Sequence, residues 1–147
     1  MIKETVDDFL DLVTIGASDA ASRLPLLLDR LALAVGTATF IFDDKDWPDP
    51  ELTKYDEWRS RAETTFPELG YYNAARPLSE NIGKSDLVVG DAIDDIADIA
   101  GDLEIVSLRW SSSTADALWH LEFSFLNHWG EHLRNLQLYL HMKPLGQ

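Results

Sequence analysis

Cysteine is absent from the 147-residue sequence. That excludes disulfides, thiolate metal centres and cysteine nucleophiles, and it makes a reducing cytoplasm the expected compartment. Basic residues are scarce. Twelve Lys and Arg stand against twenty-six Asp and Glu, for a formal charge of −14. No basic surface is available to displace counterions, so binding to DNA or RNA is not expected. A strong negative field suits cations or basic proteins instead. Uncharged apolar runs are too short to cross a bilayer. The longest apolar stretch, Leu24 to Phe42, contains Asp29 and Arg30 and reads as a core helix. The first twelve residues set Lys3 against Glu4, Asp7, Asp8 and Asp11, which is not the charge order of a signal peptide. Repeats, a Gly-rich phosphate loop and a Gly-x-Ser-x-Gly elbow are also missing.

What is present reads as one domain over residues 1–147. With 46% hydrophobic residues, a chain of this size can bury roughly 70% of its extended surface without a staple. The apolar spacing predicts an all-α fold, an up-down bundle of about five helices. Thr5 with Asp8 suggests the first cap, Val6, Phe9, Leu10 and Val13 the buried face, and Gly16 the end. A second helix starts at Ser18 or Ser22, carries Pro25 in its first turn, and extends toward residue 40. Thr53 with Asp56 caps a third that holds Trp58 and Ala62 and stops before Pro67. Residues 67–84 read as irregular, with Tyr71 and Tyr72 packed down. The acidic loop from Asp43 to Glu51 does not meet the calcium-loop rule, because Pro48 and Lys54 fall where glycine and glutamate are required.

Two long helices are expected at the end. One opens at Ser85 and runs to about Leu108. The other is capped by Ser113 with Asp116 and runs to about His141. At roughly 35 and 40 Å, joined by a short turn, they are expected to be antiparallel neighbours. Gly90 and Gly101 interrupt the first, and close packing against a neighbour is the expected reason.

The first of this pair is unusually acidic. Asp91, Asp94, Asp95, Asp98 and Asp102 fall in an arc of about 100°. Stacked carboxylates repel by a few tenths of a kcal/mol per pair. Three readings of the stripe stay open: a solvated face, a divalent-cation site, or an attractor for a basic protein or a second subunit. On the last helix His128 and His132 stand four apart, a spacing at which imidazoles share a metal or pair with neighbouring carboxylates. The string His128-Trp129-Gly130-Glu131-His132 matches the inverted zinc-protease pattern, but no acid follows Glu131 to act as the further ligand. Glu122 projects into the middle of the apolar arc, where a carboxylate needs a donor; Arg109, Arg59 or a tyrosine is expected to supply it.

Gly90-Asp-Ala-Ile-Asp-Asp-Ile-Ala-Asp98, Trp119 and Phe123-Ser-Phe-Leu-Asn-His-Trp-Gly-Glu-His132 carry a resemblance. In these segments the chain resembles family 5063 of bacterial domains of unknown function, chiefly over its C-terminal half. The resemblance implies a helical fold and a bacterial source, and no activity. The family often has a basic residue where Glu131 stands here.

The expected function is a small helical binding module without catalysis, recognising a basic protein partner or forming a homodimer. The alternative is a divalent-metal-dependent hydrolase of a phosphorylated small molecule. In that case Mg, Mn or Zn would be held by Asp94, Asp98, His128 and His132. The residues expected to carry either role are Asp91, Asp94, Asp95, Asp98, Glu122, His128, Trp129 and His132.

Overall fold

The computed structural model describes residues 1–39 and 42–143. Its centre is helix α4, Ala92–Trp110, which buries ten of its residues. Helices α1 (Ile2–Ile15), α3 (Tyr55–Thr65), α5 (Thr114–Ser124) and α6 (Gly130–Met142) all pack against α4, while α2 (Ala20–Thr37) lies on α1 and α6. Phe9, Leu28, Ile96, Leu103, Leu121, Trp129 and Leu133 meet in one continuous core with no solvent exposure. Truncating a buried aromatic of this kind to alanine costs about 3–5 kcal/mol.

The fold is mostly helical, but it is not all-α. Strands β1 (Tyr71–Arg76) and β2 (Asp86–Asp91) pair antiparallel, with Tyr72 opposite Gly90 and Ala75 opposite Leu87. This corrects two expectations: the helix from Ser85, and the irregular structure over 67–84. Leu87, Val88 and Val89 favour extended backbone, and Tyr71 and Tyr72 supply a partner strand of the same preference. The inner face of the hairpin lies on α6, where the Tyr72 ring stacks on Tyr139 at 5.0 Å. Tyr71 points outward and is 71% exposed, so only one of the two tyrosines is packed down.

Gly90 is required by that packing, since a Cβ there would come within 2.2 Å of the Tyr72 ring. Gly101 is a different case. A Cβ there would meet nothing within 4 Å, so close helix packing is not its reason.

Several helix starts also differ. Helix α1 begins at Ile2, one turn before the expected cap, and the Thr5 hydroxyl donates back to the Met1 carbonyl. Helix α2 begins at Ala20 and ends at Thr37, after which Ala38 is extended; residue 40 lies outside the described residues. Pro25 is the sixth residue of α2 and so lies past the first turn expected for it, where it leaves the Ala21 carbonyl without its usual helical donor. Helix α3 follows Lys54, not a Thr53 cap, because Thr53 donates both its N–H and its hydroxyl to Glu104, at 2.7 and 2.6 Å. Helix α4 opens with Asp91, whose Oδ1 accepts from Ile93 N at 3.0 Å and Asp94 N at 3.4 Å. Ser113 does cap α5, accepting from Asp116 N at 3.1 Å.

The final helical stretch is interrupted. Phe125–Trp129 form a π turn between α5 and α6, and Gly130 N–H donates back to the Phe125 carbonyl. Gly130 is the residue that fits there, because a Cβ would sit 2.3 Å from the same carbonyl oxygen. The turn adds one residue, so the core faces of α5 and α6 are about 100° out of phase. Counted in the phase of α6, Glu122 and Leu126 lie mid-arc. In place they do not: Leu126 is 72% exposed and Glu122 is only half-buried.

Candidate functional site

Helix α4 turns Ile96, Ile99, Leu103 and Val106 into the core, and that rotation sets the acidic stripe sideways. Asp95 is buried and Asp91, Asp94, Asp98 and Asp102 are half-buried. The stripe is therefore a seam facing other elements, not a solvated face. Against it the π turn and α6 present His128 and His132, β1 presents Tyr72, and α3 presents Tyr55 and Arg59.

The contacts are specific. His132 Nδ1 lies 2.7 Å from Asp95 Oδ1, and its Nε2 lies 3.2 Å from Asp98 Oδ2. His128 Nδ1 lies 2.7 Å from Asp102 Oδ2, and its Nε2 lies 4.0 Å from Asp98 Oδ1. The two rings are 5.0 Å apart and nearly perpendicular. Asp98 thus stands between two imidazoles whose far nitrogens are tied to carboxylates. The remaining acids have other donors. Tyr72 donates to Asp95, Tyr55 donates to Asp94, and Arg59 pairs with Asp91 at 2.8 Å.

The charges are unequal. Five carboxylates face one guanidinium and two imidazoles. Burial pushes the carboxyls of Asp95, Asp98 and Asp102 above the usual carboxylate range, against the pull of the histidines. The charge of Asp94 raises Asp98 further. Burial pulls His132 down, but its bond to Asp95 and the neighbouring carboxylates outweigh this and hold it above the ordinary imidazole value. Burial first, and then the bond to Asp94, push the Tyr55 phenol up to about 12. Both tyrosines that face the seam are thus proton donors at neutral pH.

Of the four expected ligands, Asp98, His128 and His132 bring ligand atoms within 4.8 Å of one another, while Asp94 falls in a second group with Asp95 and His132. Trp129 is not part of the cluster. It is fully buried, and its Nε1 donates to Ser124 Oγ at 3.0 Å, which makes it a core anchor. Glu122 is outside the cluster as well, and its carboxylate has no hydrogen bond or ion pair among the described residues. Its expected partner Arg109 binds Asp49 and Asp116, and Arg59 binds Asp91 and Glu63. Glu131 points to the hairpin and pairs with Arg76 at 2.5 Å, away from the histidines. Tyr72, Tyr55 and Arg59 are the site residues that periodicity did not reveal. Only a tyrosine in a strand-forming context hinted at one of them.

No curated protein shows significant similarity to the chain. Among solved structures it is similar to the crystal structure of protein BF1032 from Bacteroides fragilis, with a TM-score of 0.70 and 19% identity. That likeness covers 96% of this chain and 86% of the other, and it shows the fold alone. Residues 2–143 match the model of the family described as Domain of unknown function (DUF5063), and the chain belongs to that family.

Proposed function

We propose that this chain is a small helical metal-binding module whose centre is a divalent transition ion held by Asp98, His128 and His132. One observation carries the reading. Each imidazole has its Nδ1 held by a carboxylate, Asp95 or Asp102, at 2.7 Å, and turns its Nε2 toward the shared Asp98. Metal-bound histidines are oriented in this way: the outer N–H goes to a carboxylate, which fixes the tautomer and leaves the other nitrogen for the ion.

The distances suit an ion after small shifts. Ligand atoms around a tetrahedral zinc lie about 3.3 Å apart, and here the Nε2-to-carboxylate separations are 3.2 and 4.0 Å. Two nitrogens and one oxygen favour Zn, with Mn next by the rising affinity of later transition ions, over Mg, which takes oxygen alone. The excess of carboxylates over fixed cations gives a dication something to neutralise, and it would compete with protons for these raised carboxyls.

A basic protein partner receives less support, because the stripe already meets Arg59, two tyrosines and two imidazoles. Hydrolysis of a phosphorylated molecule would need a cationic grip beside the ion, and Arg59 is engaged by Asp91 and Glu63. With the binding role we propose the finer architecture, an up-down bundle with an antiparallel C-terminal pair. The pairings Arg109–Asp116, Asp102–His128 and Asp95–His132 support it, since they run backward along α4 as they run forward along the last helices. A bacterial, cytoplasmic setting is supported by the bacterial source of the similar structure and by the lack of cysteine.

Thermal melting with Zn²⁺, Mn²⁺ and Mg²⁺ tests the centre. At about a hundredfold excess over Kd a specific ion adds about 2.7 kcal/mol, a rise of about 5–10 °C for a chain of this size. The rise is expected with Zn²⁺ or Mn²⁺ and is expected to vanish in Asp98→Ala and His132→Ala. An equal rise in those variants, or no rise with any ion, overturns the proposal.

A further inference from the structure

The hairpin is a sheet of two strands, and the outer edge of β2 is bare. Beyond its ladder with β1, no backbone hydrogen bond reaches Asp86–Gly90 from another described residue. Such an edge offers unpaired N–H and C=O groups to any extended chain, and edges are commonly blunted by charge, proline or a bulge. Here the register with β1 runs unbroken from Asp86 to Asp91, and between those two acids the strand is Leu87-Val88-Val89-Gly90. Leu87 and Val89 stand on the outer face, 83% and 74% exposed. The middle of the edge therefore carries neither charge nor proline, in a chain with twenty-six acids. A ribbon of two strands is also marginal by itself, and further strands stabilise it.

We propose that this edge pairs with the same edge of a second copy of the chain, giving a four-stranded antiparallel sheet in the order β1-β2-β2-β1 about a twofold axis. Symmetry restricts the register. The axis stands perpendicular to the sheet, so outer side chains lie opposite outer side chains and one residue of β2 meets itself at the axis. With Val88 at the axis, Leu87 lies opposite Val89 of the second copy, and the pair occurs twice. Asp86 then faces Gly90, and Asp91 faces Ser85, so no carboxylate opposes another.

Apolar pairs across strands stabilise a sheet, and like charges directly opposite destabilise it. An axis at Leu87 would set Asp86 against Val88, and an axis at Val89 would set Asp91 against Leu87. The Val88 register is free of both faults. The strand is thus complementary to itself, which selects a second copy over an unrelated strand. The contact also closes, because each β2 is used once. The pairing makes no use of the metal centre.

Sedimentation velocity of the full chain over a wide concentration range reads the association, at about 0.15 M salt, where repulsion between acidic chains is screened within about 8 Å. A monomer–dimer equilibrium is expected. Leu87→Glu and Val89→Lys each set a charge against an apolar side chain at two symmetry-related places, and each is expected to weaken dimerisation about tenfold or more. The two changes move the net charge in opposite directions, so weakening by both is not bulk repulsion. Both positions are exposed, and the circular dichroism spectrum of the monomer is expected to stay the same. Combined in one chain, the two changes place acid opposite base across the axis, twice, and the double variant is expected to dimerise at least about threefold more tightly than either single variant. A monomer at every concentration overturns the proposal. A dimer that neither single change weakens overturns this edge as its seat, and a double variant no tighter than the single ones overturns the register.

Discussion

At its C-terminal end α4 buries one guanidinium, Arg109, between Asp116 at 2.8 Å and Asp49 at 2.6 Å. At its N-terminal end it sets five carboxylates against Arg59, His128 and His132. In the C-terminal set the guanidinium meets two carboxylates, Asp116 and the exposed Asp49, and only its Nε lacks an acceptor among the described residues. It ties the acidic 43–51 loop to the start of α5, helped by the Ser113 hydroxyl donating to Asp43 at 2.6 Å, and bonds from Ser113 and Trp47 hold the Asp43 carboxyl below its ordinary value. The N-terminal set is unequal, and burial holds three of its carboxyls above the ordinary range. A closely paired network braces the fold. An unequal one weakens it, and the cation proposed above would relieve it; on one helix the two can be separated by mutation.

Arg109→Ala is the largest way to break the comparison. Removing one partner of a buried pair costs about 3–5 kcal/mol, expected as a fall of about 6–20 °C in melting temperature. If the two ends are independent, the rise on adding Zn²⁺ or Mn²⁺ survives unchanged in this variant. Loss of that rise in a folded protein would show the ends to be coupled.

Gly130→Ala strikes the imidazole end through the backbone. Its Cβ would press on the Phe125 carbonyl from 2.3 Å, and overpacking of this kind costs about 1–3 kcal/mol. His128 and His132 flank the position, so metal affinity is expected to fall together with the urea midpoint. A variant as stable as the parent, with undiminished metal affinity, would remove the π turn from the account of the site.

The smallest effect is in pH. Asp95, Asp98, Asp102 and His132 all have raised folded values. The contribution of each is fully present below its unfolded value, 3.8 or 6.5, and is lost as pH rises through the folded value. Metal-free stability from this end therefore declines from acid toward neutral pH and beyond 6.5, while metal affinity rises over the same range as protons leave. Urea unfolding at about pH 5 and about pH 8 measures the slope. Asp98→Asn is expected to flatten it, and a slope untouched by that change would place the titration elsewhere.

Much of this was legible in the residues themselves. Val6, Phe9 and Val13, Leu24 to Leu31, Trp58 with Ala62, and Ile96 to Val106 recur at helical spacing and are buried as that spacing requires. The acids and the two histidines were placed on two adjacent segments, and the contacts between those segments follow. The hairpin was not legible, because β1 and β2 each lack a local signal strong enough to stand alone. Leu87 to Val89 behind Ser85 resemble a helix start until Tyr71–Arg76 is found to pair with them. The fate of Glu122 was hidden for a related reason. A wheel drawn at one period cannot show that an inserted residue at Phe125–Trp129 moves Glu122 and Leu126 off the core face.

The sequence by itself determined the charge, the lack of thiols, the helical core, the stripe of acids and the four-residue spacing of the histidines, because those depend on composition and on spacing within one segment. Tertiary structure alone decided which carboxylates sit opposite which nitrogens, that Tyr72, Tyr55 and Arg59 join them, and that Gly101 faces open space beside Trp58. Those facts depend on how α4 is rotated against β1, α3 and α6. That rotation follows from the apolar face that α4 buries, while the π turn and the hairpin bring the histidines and Tyr72 to its acidic side.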